Sequence, residues 1–150
     1  MQAARERLGD AQKVIGVAHP ALVVSAAYYA MLNAARGALS EQGIFAKTHS
    51  GTWSLFSERF VATGAFDRDL LAFTGRAQEA RQEGDYQARP LSPELARELL
   101  DAAERFLVAV EAMLCKEALP ALLAGAPPLD GGRFRADLDA FVDPDSTPRA

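Results

Sequence analysis

Residues 21–42 read ALVVSAAYYAMLNAARGALSEQ, and Gly37 is the one helix breaker among them. Val24, Tyr28, Met31, Ala35 and Leu39 recur at steps of three and four, which lays them along one face of an α-helix. A half-buried strand would alternate apolar and polar residues, and this stretch does not. The chain is therefore organised around a long helix that needs partners along its apolar face, and the flanking sequence supplies them.

Towards the N-terminus, Ala4, Leu8, Ala11 and Ile15 form a second helical stripe over about residues 3–17. His19 and Pro20 interrupt it, because the residue before proline is pushed out of the α region, so His19 reads as a connector. Towards the C-terminus, Gly43 suits the left-handed turn that ends a helix, and the loop IFAKTHSG leads to a third helix beginning near Thr52. That helix presents Trp53, Phe56 and Phe60 and ends at Gly64. Asp67 can cap a fourth helix running to about Tyr86, with Leu70, Phe73 and Ala77 on one side and Arg76, Glu79 and Glu83 on the other. Ser92 followed by Pro93 is a start signal for a long fifth helix through Leu95, Leu99, Phe106, Val110 and Leu114, which Pro120 is expected to end.

Helices joined by short connections pack as antiparallel neighbours. The expected fold is all-α: an up-and-down bundle of about five helices, a four-helix core plus an extra helix, over residues 1–120. Residues 121–150 read as a partly ordered C-terminal extension. It comprises a breaker-rich connector, a short helix in FRADLDAFV and a frayed tail, DPDSTPRA.

Composition narrows the function. With 16 basic and 20 acidic residues the net charge is −4, so no broad cationic surface exists for non-specific nucleic-acid binding, and any such contact must be local. No stretch approaches the roughly 20 apolar residues that span a bilayer, and MQAARERLGDAQ lacks an apolar leader core; no membrane association and a cytoplasmic location are expected. The one cysteine, Cys115, reads as a small packing residue. The two histidines, His19 and His49, have no carboxylate at ligand spacing, so neither a metal nor a cofactor is expected. Phosphate-cradling glycine loops and serine-nucleophile elbows are absent from the sequence.

The segments SAAYYAMLNAARGAL, KTHSG, FVATG and RQEGDY, in that order and at these separations, resemble the prokaryotic HEPN-domain family over about residues 3–118. The resemblance implies a bundle that pairs into a homodimer, often encoded beside a minimal nucleotidyltransferase in toxin-antitoxin modules. It also implies that nuclease members cut RNA without metal, using an arginine and, four to six residues later, a histidine that meet across the dimer. Arg81 matches that arginine, but Asp85 and Tyr86 stand where the histidine would be. Imidazole titrates near neutral pH, whereas an ordinary aspartate is a weak base and an ordinary tyrosine a poor acid there. Ala26 stands where relatives of similar pattern carry an arginine.

Arg81 and Asp85 share a helix face and suit either an exposed ion pair or a phosphate grip in which Asp85 orients the guanidinium. Ser25, Tyr29, Leu32 and Arg36 follow a second stripe of the long helix, offset from the core stripe. Tyr29 and Ser25 on it either satisfy structural contacts or complete the wall around Arg81, while Tyr28 reads as a core aromatic. His49 is a displaced proton-transfer candidate, or more simply a fastener of its loop, since nothing in the sequence brings it to Arg81. The expected site is therefore Arg81, Asp85, Tyr86, Tyr29 and Ser25 binding a nucleotide or RNA, with little catalysis. The alternatives are a metal-independent endoribonuclease using Arg81 with Asp85, Tyr86 or His49, and a purely structural dimerising bundle.

Overall fold

The computed structural model describes residues 1–14, 19–86 and 91–125, with the side chains of residues 14, 84–86 and 120–125 outside that description. The described elements are α1 (Gln2–Val14), α2 (Pro20–Glu41), α3 (His49–Phe56), one π-helical turn (Ser57–Val61), α4 (Arg68–Tyr86) and α5 (Pro93–Gly125). The architecture is an all-helical bundle, and the compact unit that carries it is Met1–Glu117. None of the described helices is long and apolar enough to cross a membrane. The expected end of the first helix near residue 17, with Ile15, and the short helix and tail beyond residue 125 lie outside the described residues.

Side-chain pairs fix the helix directions. Met1 lies against Gly37, so α1 begins beside the last turns of α2. Arg5 pairs with Glu111 and Gln12 with Glu104, so α1 and α5 run antiparallel. Tyr28 meets Gln78, while Arg76 pairs with Glu98 and Arg105 lies over Phe73, which sets α4 antiparallel to α5. Helices α1, α2, α4 and α5 thus form the four-helix core, and α3 is the added helix, packed on α2.

All five residues of the α2 core stripe are buried, together with Phe56, Phe60, Leu99, Phe106 and Val110. Phe56 sits with its ring centroid 5.0 Å from that of Phe66 and 5.6 Å from that of Phe106, tying α3 and the α3–α4 connection to α5. Large apolar side chains of this kind each contribute roughly 1.5–3 kcal/mol on full burial.

The chain terminates its helices as the local chemistry requires. Gly43 has φ +70°, and its N–H donates to the Ser40 carbonyl while that of Ile44 donates to Leu39, a paired motif that needs a left-handed residue. The Asp67 carboxylate accepts from the N–H groups of Asp69 and Leu70, and the Ser92 hydroxyl accepts from Leu95, so both expected caps are present.

Four expectations change. First, α3 starts at His49 rather than near Thr52, because Thr48 caps it: its hydroxyl accepts from the Gly51 N–H at 3.0 Å. Second, the third helix ends in a π-helical turn, with the Ala62 N–H donating five residues back to Ser57. Third, α5 continues past Pro120 to Gly125. A proline removes one hydrogen bond and crowds the preceding turn, which the helix formers EAL before it and ALLA after it tolerate. Fourth, Cys115 is exposed rather than packed. It falls on the stripe of exposed Val108 and Ala112, three and four residues apart, opposite the buried Phe106, Val110 and Met113.

Candidate functional site

Arg81 is half-buried on α4, and its position there is fixed by its neighbours on the same helix, the buried Ala77 and Ala80, which pack into the core. Its guanidinium carbon lies 5.2 Å from the ring centroid of Tyr29 and 5.7 Å from that of Tyr28. The face of an aromatic ring is negative, so two rings on adjacent positions of α2 hold this cation by roughly 0.5–2 kcal/mol each. The tyrosines in turn stand edge to face, with centroids 5.4 Å apart.

His49 belongs to the same cluster. Its ring centroid is 5.9 Å from both tyrosine rings, and its Nδ1 is 3.2 Å from the Tyr28 hydroxyl oxygen. That hydroxyl also reaches Gln78 Oε1 at 3.5 Å, near the limit of a hydrogen bond. A hydroxyl has one proton. When Tyr28 donates it to Gln78, the Tyr28 oxygen accepts from Nδ1–H of His49, and the imidazole lone pair lies on Nε2. Burial, followed by the nearby Arg36 and Arg81 guanidiniums, pushes the His49 pKa below that of an ordinary imidazole.

Arg36 enters from α2, seven residues after Tyr29 and so on the same face. Its Nε donates to the hydroxyl of the fully buried Thr52 at 3.4 Å, and that hydroxyl donates to the Thr48 carbonyl at 2.9 Å. The capped first turn of α3 therefore places His49 and anchors Arg36 together. A side chain at position 51 would disturb this turn, since an added Cβ would stand 2.9 Å from the Thr48 hydroxyl. Beside Tyr28, the indole Nε1 of Trp53 is buried and makes no hydrogen bond with a described residue.

Of the residues expected from sequence, Arg81, Tyr29 and His49 come together. Ser25 lies half-buried one turn before Tyr29, with no hydrogen bond to the cluster. Asp85 and Tyr86 continue α4 beyond Arg81, and their side chains lie outside the described residues. Nothing in the sequence brings His49 to Arg81; the fold does, because the Thr48 cap turns His49 onto the tyrosine pair that the Arg81 guanidinium covers. Tyr28 is wholly buried as a core aromatic should be, yet its hydroxyl also holds His49. The sequence reading missed Gln78, which precedes Arg81 by three residues on the same face of α4. It also missed Arg36, which its own second α2 stripe already contained.

Chemically, the cluster offers two fixed guanidiniums, an imidazole and two aromatic faces. This set suits an oxyanion carried on a planar, stackable group. Among the described residues no group of three histidine, cysteine or carboxylate side chains could hold a metal ion. The cavity of about 440 Å³ bordered by Gly64, Phe66, Asp67, Met113 and Lys116 contains none of these residues.

Comparison with known proteins gives a consistent assignment. The family model described as the HEPN domain matches residues 1–113. A "UPF0332 protein" of Thermotoga maritima is 31% identical over 112 residues, covering 74% of this chain and 85% of its own. A "UPF0332 protein" of Archaeoglobus fulgidus is 35% identical over 105 residues, 69% of this chain and 83% of its own. A Methanocaldococcus jannaschii protein whose name reads "Putative toxin" is 33% identical over 85 residues, 56% of this chain and 58% of its own.

Proposed function

Because this chain belongs to the HEPN domain family, we propose that it is a homodimeric HEPN module that binds a nucleotide or RNA phosphate at Arg81. The observation that carries this reading is the placement of the Arg81 guanidinium over Tyr28 and Tyr29, beside His49 and Arg36. A guanidinium held by stacking is pre-oriented, so it loses little freedom when it closes on a phosphate. The acidic net charge fits recognition of one phosphate group rather than a long polyanion. The name of the M. jannaschii relative, "Putative toxin", supports a toxin-like role; that the partner is a minimal nucleotidyltransferase is proposed from the family resemblance alone.

The test is titration of labelled single-stranded RNA and of AMP into wild-type protein and Arg81→Ala. Binding that Arg81→Ala abolishes, while molar mass in solution still reports a dimer, supports the reading; equal weak binding by both proteins removes it. A second reading, metal-independent RNA cleavage, is favoured by one feature: a neutral His49 imidazole, near the Arg36 and Arg81 guanidiniums, can accept a ribose hydroxyl proton. Cleavage in EDTA leaving cyclic-phosphate ends, and lost in His49→Gln, would establish it. Intact RNA at high protein concentration would exclude it.

A further inference from the structure

The arrangement of His49 has a consequence for which phosphate the site takes; it rests on the anion-binding reading above. The elements packed around His49 contribute Tyr28, Tyr29 and Arg36 from α2, and Gln78 and Arg81 from α4. The loop before α3 adds the exposed Lys47. Among the described groups, the charges acting on the imidazole are the two arginines. Without a ligand, burial and then the two guanidiniums favour the neutral ring.

A phosphate group reverses this balance, since it offsets both guanidiniums and places negative oxygens beside Nε2. Protonation needs no rearrangement of the chain of hydrogen bonds. In the tautomer in which Tyr28 donates to Gln78 and accepts from Nδ1–H of His49, a proton added at Nε2 leaves that bond in place and supplies a new donor for the ligand. Protonation thus adds one positive charge beside the Arg36 and Arg81 guanidiniums. A phosphodiester brings one negative charge, whereas a phosphomonoester brings close to two at neutral pH.

We infer that the Arg81 site takes a terminal phosphomonoester and that His49 accepts one proton from solvent at Nε2 as this ligand enters. No covalent bond is made or broken, and the proton leaves with the ligand. By linkage, affinity is constant below the free-state pKa of His49 and falls as pH rises towards its ligand-bound pKa, by at most about tenfold per pH unit. A free nucleoside monophosphate and a phosphorylated RNA end share this chemistry.

The experiment is calorimetric titration of AMP at pH 7.5 in two buffers of different ionisation enthalpy, with adenosine and 3′,5′-cyclic AMP as controls. Wild-type protein should take up a measurable fraction of a proton per AMP and bind the cyclic diester several-fold more weakly. His49→Gln should bind AMP more weakly with little uptake, so that subtracting its pH profile also removes the titration of the phosphate itself. Should His49→Gln fold poorly, proton NMR of His19→Gln, which leaves His49 as the one histidine, gives its pKa with and without AMP. A rise of about one unit or more is expected. An RNA oligonucleotide bearing a 5′-phosphate, compared with its 5′-hydroxyl counterpart, separates an RNA end from a free nucleotide as the source.

Equal proton uptake by wild type and His49→Gln, or a His49 pKa unmoved by AMP, overturns the inference while Arg81-dependent binding keeps the underlying reading intact. Failure of AMP to bind wild type, or equal binding by Arg81→Ala, overturns both.

Discussion

Replacing Tyr28 by phenylalanine removes one oxygen atom from the centre of the cluster and leaves the ring in place. The ring is fully buried, so its packing and its contact with Arg81 persist. What is lost is the 3.2 Å bond to His49 Nδ1 and the 3.5 Å contact to Gln78 Oε1. A net intramolecular hydrogen bond contributes about 0.5–1.5 kcal/mol, and a buried partner left unsatisfied costs about 1–3 kcal/mol. Both partners here are half-buried and can turn towards water, and the Gln78 contact is long. The expected loss is therefore about 1–1.5 kcal/mol, or roughly 4–6 °C in Tm for a domain of this size.

Tyr29→Phe is the internal control. Tyr29 packs against Tyr28 and His49 through its ring, and its hydroxyl makes no hydrogen bond with a described residue, so its loss should change stability by less than about 0.5 kcal/mol. Urea unfolding followed through Trp53, the only tryptophan, reads both variants, since its ring centroid lies 6.2 Å from that of Tyr28. Equal effects of the two substitutions would refute the assignment of a structural hydrogen bond to Tyr28 alone. A loss above about 3 kcal/mol would show that the packing of the ring, not its hydroxyl, had been disturbed.

Other perturbations follow from the same physics. Phe106→Ala removes a fully buried ring that touches Trp53, Phe56 and Phe66, and should cost about 3–5 kcal/mol in a denaturant melt. Gly64→Ala places a Cβ at φ +77° with open space around it, so backbone strain alone should lower stability by about 1–2 kcal/mol. Asp67→Ala frees the first N–H groups of α4 and should cost about 1 kcal/mol, a loss that Asp67→Asn largely avoids. The ligand-free protein should lose stability as pH falls below the ordinary histidine value near 6.5. The unfolded chain binds the His49 proton first, and the loss continues down to the lowered folded pKa. His49→Gln should flatten that part of the pH profile.

The fold was legible because its signals are local and repeated. The α2 stripe, the Gly43 turn and the Asp67 and Ser92 caps each depend on a few neighbouring residues, and each appears where the pattern places it. The π-helical turn at Ser57–Val61 was not legible, since no residue in SERFV distinguishes it from α-helix. Neither was the exposure of Cys115, which depends on which face of α5 the other helices cover.

The site was legible in part. Arg81 and Tyr29 could be located because each lies on a helical stripe whose orientation the core residues fix. His49 could not, because its place depends on the Thr48 cap starting α3 three residues earlier than the aromatic pattern suggests, and on a contact 21 residues away in sequence. Arg36 was on the right stripe, but its importance emerges only when Thr52 folds beneath it.

The central claim is that the Arg81 cluster holds a phosphate ligand. Titrating AMP into ¹⁵N-labelled protein and following the backbone amide signals tests it most directly. The account predicts saturable shifts confined to three stretches, around Tyr29 to Arg36, Thr48 to Thr52 and Gln78 to Arg81, and absent from Arg81→Ala. Shifts centred instead on the cavity bordered by Gly64, Asp67 and Lys116, or no shifts at all, would contradict it.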